Sequence, residues 1–375
     1  MALTAENKST SSASGSATDL HILPLDGLRG FAAFIVLVSH FSNMALSGVD
    51  MDALIASPSA LFSPGGVQKA AFGVFGSGAG QIGVMMFFAL SAFLMFHLYF
   101  TRPPTTETQK KFVISRVARI LPLYYAVVLI GFIIDQTAPF PFLDLTPADL
   151  PAHLLLVGNV SVLWTIPPEL AFYLVFLALW RFGHRRPQAL YGGLAVFIIV
   201  WNLAPNFWAS RTFEFFALGG LLHWAYASGV RLGFDRAPGW AAALGFGALF
   251  LTILPVVQRS VLGVDLVQSG WQSERVLLTI AILFLLVLNN PFLQRVFSIA
   301  PMRFLGKISF SLYLTHLLVL NGLNHAGLLQ PNIFSFTLAA GLAIVLSYGT
   351  YTAIEAPSRE SIRNALSKRS AAATA

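Results

Sequence analysis

The chain has no cysteine in its 375 residues. That absence excludes a disulfide framework, a thiolate metal site and a cysteine acyl-enzyme together. Charge is scarce as well: Asp, Glu, Lys and Arg make up 10% of the sequence against 56% hydrophobic residues, whereas about a quarter of a soluble domain is charged. With a mean hydropathy of +0.72, the composition predicts an all-α polytopic membrane protein. No apolar run occurs in the opening "MALTAENKSTSSASGSATDL", so residues 1–21 read as a disordered tail and not as a signal peptide. Residues 359–375 read as a short basic tail, which leaves 22–358 as one membrane domain. His97, His153, His184, His223 and His325 lack paired metal-ligand spacing, and no metal is expected. The lack of an evident internal or inverted repeat weighs against a secondary transporter.

Apolar segments of spanning length recur near 28–47, 81–100, 120–136, 168–183, 189–204, 212–229, 239–257, 275–290, 308–326 and 334–354. They predict about ten transmembrane helices. The stretch 150–166 either dips into the membrane before the fourth span or stays outside it. With both termini cytoplasmic, eighteen of the 23 basic residues fall on the cytoplasmic side and four on the other, which sets that orientation in a cell (inner or plasma) membrane by the positive-inside rule. The same asymmetry accounts for the net charge of +7 without a nucleic-acid partner.

Ionisable residues inside the spans are the exceptions that need a reason, because an arginine at the centre of a span costs roughly 2.5–3.5 kcal/mol on an insertion scale. The first span, "LDGLRGFAAFIVLVSHF" (25–41), carries Asp26, Arg29 and His40. Arg29 and His40 are eleven residues apart, about 20° past three full turns and roughly 16 Å along the axis. They share one helix face. Each alone has an ordinary explanation: Arg29 snorkelling to headgroups, His40 bonded to a neighbouring helix.

This first span resembles that of the acyltransferase 3 family, in which an arginine and a histidine are separated by ten residues within an "LDGLRG…H" segment. Further segments follow in the family's order: "GVMMFFALSAFLM" (83–95), "ISRVARILPLYY" (114–125), "LWTIPPELAFYL" (163–174), "SRTFEFFALGGLL" (210–222), "FLGKISFSLYLTHLLV" (304–319) and "IEAP" (354–357). The resemblance spans roughly residues 22–360. Departures are Ala92 for the usual glycine, "WTIPPE" for the commoner "WSLxxE", and a glycine one residue late after Arg211.

The resemblance implies an acyl-CoA-dependent O-acyltransferase that moves an acyl group, commonly acetyl, to a hydroxyl of a surface or lipid-linked glycan or a small molecule. Acyl-CoA (acetyl-CoA) would be a co-substrate, with no permanently bound cofactor. His40 is the candidate base, since histidine titrates near neutral pH and can take a hydroxyl proton; direct transfer and a covalent acyl-histidine both remain open. Arg29 lies on the donor's route. Arg116 and Arg119, three apart and on one helical face after Lys110 and Lys111, suit its phosphates. Glu169, expected near the outer face, would orient His40 or bind acceptor hydroxyls, or serve only the helix start. Arg211 and His316 are candidates for acceptor binding or for structure. "GSGAGQIG" (76–83) lacks the ending of a phosphate loop and reads as a turn. Two other classes compete: a transporter whose charged residues line the path, and a partner-binding membrane protein in which Arg29 and His40 only specify packing.

Overall fold

The computed structural model describes residues 21–76, 78–203, 212–260, 274–362 and 364, and among them there are helices and no strand. The first helix, α1 (Leu23–Ala45), is followed by three short pieces, α2 (Met51–Ala56), α3 (Pro58–Leu61) and α4 (Gly66–Gly76). Next come α5 (Ala79–Met95), α6 (Thr106–Thr137), α7 (Leu150–Leu154), α8 (Ile166–Gly183), α9 (Pro187–Leu203) and α10 (Phe213–Ala227). The remainder is α11 (Gly239–Thr252), α12 (Pro255–Ser260), α13 (Glu274–Asn289), α14 (Pro291–Phe297), α15 (Ala300–His325) and α16 (Ile333–Thr350). A helix lies at every one of the ten apolar segments.

Six stretches among the described residues are long and apolar enough to cross a membrane: Leu23–Ala45, Gly66–Phe100, Thr106–Thr137, Ser161–Gly183, Ala300–His325 and Ile333–Ile362. The pair α13 and α14 makes a seventh if taken as one span bent by 94°. Asn290 makes that bend. Its side-chain oxygen accepts from the amides of Phe292 (3.1 Å) and Leu293 (3.2 Å), capping α14, while its Nδ2 donates to the carbonyls of Phe234 and Ala237. Pro291 then occupies the first turn, where its missing amide hydrogen costs nothing. The helices α9, α10 and α11 hold 17, 15 and 14 residues, about 21–26 Å of rise against a hydrocarbon core of roughly 30 Å.

Helix α1 sits at the centre, against α4, α5, α13, α14, α15 and α16. Its partnership with α15 is the tightest. A Cβ on Gly30 would stand 2.7 Å from the amide nitrogen of Gly306, and one on Gly306 would run into the carbonyl oxygen of Asp26. Within a bilayer, where lipid is as apolar as leucine, such small residues let backbones approach and gain dispersion contact. Around this seam Leu28, Ala32, Val36, Phe41, Met85, Phe93, Leu312 and Leu320 are fully buried.

The segment between α6 and α8 folds back into the bundle. Asp135 receives the amides of Phe142, Leu143 and Leu145, and those three side chains are buried. The hydroxyl of Tyr124 donates to the His153 carbonyl at 3.0 Å and lies 3.2 Å from its Nδ1. A 3-10 turn, Ser161–Thr165, follows with Val162, Leu163 and Thr165 buried. Ser161 enters that turn at φ 49°, a left-handed conformation uncommon outside glycine. Within 150–166, His153, Val162, Leu163 and Thr165 are thus buried in the bundle, while Leu154, Leu155 and Val157 are exposed.

Candidate active site

Two cavities meet inside the bundle, and Val84 and Tyr313 line both of them. One has a volume of about 100 Å³ and is lined by Arg29, Ser91, Arg116, Arg119, Glu169 and Tyr173, among others. The other, about 530 Å³, is lined by Ser39, His40, Asn43, Gln81, Ser161 and Trp164. We call them the arginine chamber and the histidine chamber. The buried 3-10 turn runs beside the junction: Thr165 lines the first, and Ser161, Val162 and Trp164 line the second. Tyr313 closes the wall by donating its hydroxyl to the Val162 carbonyl at 3.0 Å.

In the arginine chamber, the side chain of Arg29 is 16% exposed and pairs with Asp26 at 2.8 Å. Its Nε donates to the Gly306 carbonyl at 3.0 Å, so the close approach of α1 and α15 fixes the guanidinium. Asp26 in turn meets Nε2 of His21 at 2.7 Å. Arg116 lies over the rings of Tyr99 and Phe112, with its carbon 5.8 and 6.0 Å from their centroids, a cation–π arrangement that steadies a charge away from water. Arg119 differs from both, because it has no hydrogen bond or ion pair among the described residues. Its fork is uncommitted.

Glu169 lies in this chamber, accepting hydrogen bonds from Ser91 and, at 2.6 Å, from Tyr173. The sequence reading expects it near the outer face, orienting His40, binding acceptor hydroxyls or serving only the helix start. In the structure it lines the same chamber as Arg116 and Arg119, where the buried 3-10 turn leads into the start of α8.

A fourth arginine joins the group. Arg359 pairs with Glu355 at 3.2 Å, and Glu355, 2% exposed, also accepts from Ser311 at 2.8 Å. Arg359 stands close enough to Arg116, Arg119 and Arg29 for their charges to repel. The sequence reading counts Arg359 only as cytoplasmic positive charge, although it directly follows the "IEAP" segment. It likewise passes over Ser91 and Tyr173, and also Tyr313, whose place three residues before His316 puts both on one helix face. Two π turns border the cluster, Phe96–Phe100 with Tyr99 and Tyr351–Glu355 with Glu355. Such turns are frequent at functional sites.

His40 lines the histidine chamber, and behind it His316, which is not part of the lining, meets its ring edge to face with centroids 5.0 Å apart. His316 is 1% exposed. The rest of the lining is hydroxyl, amide, indole and apolar, and His40 is its one basic side chain among the described residues. Arg211 lies outside the described residues. His97 and His223 are packed together, centroids 5.8 Å apart, with His223 Nδ1 3.2 Å from the Tyr191 hydroxyl. Among the described residues no three potential ligands gather to hold a metal ion.

A family model described as "Acyltransferase domain" (acyltransferase 3) matches residues 22–352. The chain belongs to the acyltransferase 3 family. It is similar to a putative acetyltransferase, ORF330, of Acidianus two-tailed virus, 23% identical over 325 residues that cover 80% of this chain and 84% of that protein. It is also similar to the peptidoglycan O-acetyltransferase OatA of Listeria monocytogenes, 24% identical over 335 residues that cover 75% of this chain and 51% of OatA. The match thus spans about half of OatA. No solved structure matches. The protein is therefore a multi-pass membrane acyltransferase, and Arg29, His40, Arg116, Arg119 and Glu169, which lie in the segments that carry the resemblance, line its two chambers.

Proposed function

We propose that the protein is an acyl-CoA-dependent O-acyltransferase, with about ten spans and both termini cytoplasmic, that moves an acetyl group to a hydroxyl of a glycan or of a small polyol acceptor. One observation carries the reading: an arginine-rich chamber and a histidine chamber share a wall at Val84 and Tyr313. Four guanidinium groups with three carboxylates, Asp26, Glu169 and Glu355, leave an excess of positive charge in a poorly solvated place. Phosphate relieves that excess, and arginine forks bind it in charge-assisted pairs. Glu169 holds Tyr173 and Ser91 in place around the pantetheine route, and the thioester reaches the junction at Tyr313.

The acceptor enters the histidine chamber. Amides of Asn43 and Gln81, hydroxyls of Ser39 and Ser161 and the indole of Trp164 suit a neutral polyhydroxylated ring better than an anion. His40 takes the hydroxyl proton as the acceptor oxygen bonds to the thioester carbonyl carbon. The carbon–sulfur bond breaks, and the leaving thiolate recovers the proton from His40 as free thiol. The product is an ester and coenzyme A. OatA, named for O-acetylating peptidoglycan, supports a glycan as acceptor class.

Because the chain is free of cysteine, single cysteines test the arrangement without background. Coenzyme A should protect cysteines at positions 29, 116, 119 and 169 from a cytoplasmically applied thiol reagent and leave those at 43 and 81 reactive. Acetyl transfer from radiolabelled acetyl-CoA should require an added acceptor. Protection confined to 43 and 81 would overturn the donor route, and acceptor uptake without acylation would favour a transporter.

A further inference from the structure

The transfer chemistry above leaves His316 unused, although it is buried beside His40. Its Nδ1 lies 3.0 Å from the carbonyl oxygen of Leu312, one turn back on α15. A carbonyl only accepts, so Nδ1 carries the hydrogen and donates it. In a neutral imidazole the other nitrogen, Nε2, then bears a lone pair and no hydrogen. That Nε2 is buried and has no hydrogen-bond partner among the described residues. Buried polar atoms without partners are rare and costly, and each asks for an explanation.

The ring that His316 meets across the α1–α15 seam is His40, with planes at 81° and centroids 5.0 Å apart. Tyr313 is the other titratable side chain recorded against it, at 6.3 Å between centroids, and its hydroxyl already donates to Val162. No carboxylate, lysine or arginine is recorded against either ring among the described residues. The imidazole of His40 is thus the titratable ring that stands closest to that lone pair among the described residues, and no hydrogen bond joins the two rings in this geometry.

We propose that His316 is the positioning residue for His40: its Nε2 accepts the N–H of His40 and so fixes the tautomer that turns a bare nitrogen towards the acceptor hydroxyl. The same contact steadies the imidazolium that forms when His40 takes the proton. A serine-hydrolase aspartate does this work with a full negative charge. Here a neutral lone pair does it, which spares a low-dielectric seam the cost of burying a second ion. No covalent bond changes at His316, and the proton still passes from hydroxyl to His40 to thiolate. The proposal rests on His40 being the base.

Three variants of the full-length protein in detergent or vesicles test it. His316→Gln sets an amide oxygen close to where Nε2 stands, His316→Asn keeps polar atoms only near Nδ1, and His316→Leu removes both. Turnover should stay within about tenfold in His316→Gln and fall about 100-fold or more in His316→Asn and His316→Leu, the range expected for disabling a general base. The KM for acetyl-CoA and the melting temperature should be unchanged in all three. Rescue by glutamine and not by asparagine is the signature that a packing role would not give. Equal losses in the glutamine and asparagine variants, or parental turnover in His316→Leu, would overturn the positioning role. If the leucine variant fails to fold, the asparagine–glutamine comparison decides by itself. His40→Gln separates the two readings: activity there would overturn the base and this inference together, whereas an inactive His40→Gln beside a fully active His316→Leu would overturn this inference alone.

Discussion

Arg119→Ala is the most discriminating perturbation of the donor site, because Arg119 is the arginine of the chamber that has no hydrogen bond or ion pair among the described residues. Arg29 commits donors to Asp26 and to the Gly306 carbonyl, so removing it orphans a partly buried carboxylate and mixes stability with affinity. Arg359 holds the buried Glu355 in the same way. Arg119 has no hydrogen bond or ion pair among the described residues and stands among guanidinium groups that repel it. Its truncation gives up attraction to Glu169 and relieves repulsion from Arg29 and Arg359, two effects that oppose each other and leave the stability of the folded apo-protein little changed. A charge-assisted hydrogen bond to a phosphate is worth about 1.5–3 kcal/mol, so coenzyme A should bind about 10- to 150-fold more weakly. Arg119→Lys, which keeps the charge and loses the planar fork, should fall between. Isothermal titration of coenzyme A into purified protein reads the affinity, and a thermal shift on the same sample reads the stability. The expected pattern is a weaker complex with a melting temperature close to that of the parent. Unaltered coenzyme A affinity in Arg119→Ala would refute the phosphate role of the chamber.

Three other outcomes follow from the same geometry. His40→Gln should insert and fold normally, bind coenzyme A within about twofold of the parent and lose acyl transfer by about 10²–10⁴-fold; single-turnover assays with saturating donor check this. Glu169→Gln removes a negative charge beside Arg116 and Arg119, so titration should find donor affinity retained or improved while steady-state turnover falls; weaker donor binding would contradict its placement. Gly306→Ala forces a methyl against the Asp26 backbone, and overpacking of this kind typically costs about 1–3 kcal/mol. A clear fall in melting temperature, with donor affinity lost as Arg29 shifts, is the expected result, and a parental melting curve would mean that the α1–α15 seam yields.

Local periodicity decided much of this protein from its sequence. Helices lie at all ten expected apolar segments, and among the described residues six stretches, or seven with the bent pair, are long and apolar enough to cross a membrane, where a chain must satisfy its backbone groups within each segment. The 3.6-residue repeat puts Arg29 and His40 on one face of α1, and it puts Arg116 and Arg119 on one face of α6. Arg29, Arg116 and Arg119 line the arginine chamber and His40 lines the histidine chamber. What periodicity cannot supply is which neighbour a face meets or how deep a helix begins. Glu169 joins the arginines because buried residues of the 138–165 segment, held by Asp135 and Tyr124, pull the start of α8 inward. The bond from Tyr124 to the His153 carbonyl joins positions 29 apart in the chain. Arg359 reaches the cluster after a π turn, which shifts the helical phase and takes Glu355 off the regular repeat. The division into two chambers is likewise tertiary, since its wall exists only where Tyr313 of α15 meets Val162 of the inward turn. A helix face is set by the residues along it, while a cavity is set by what several helices leave unfilled between them.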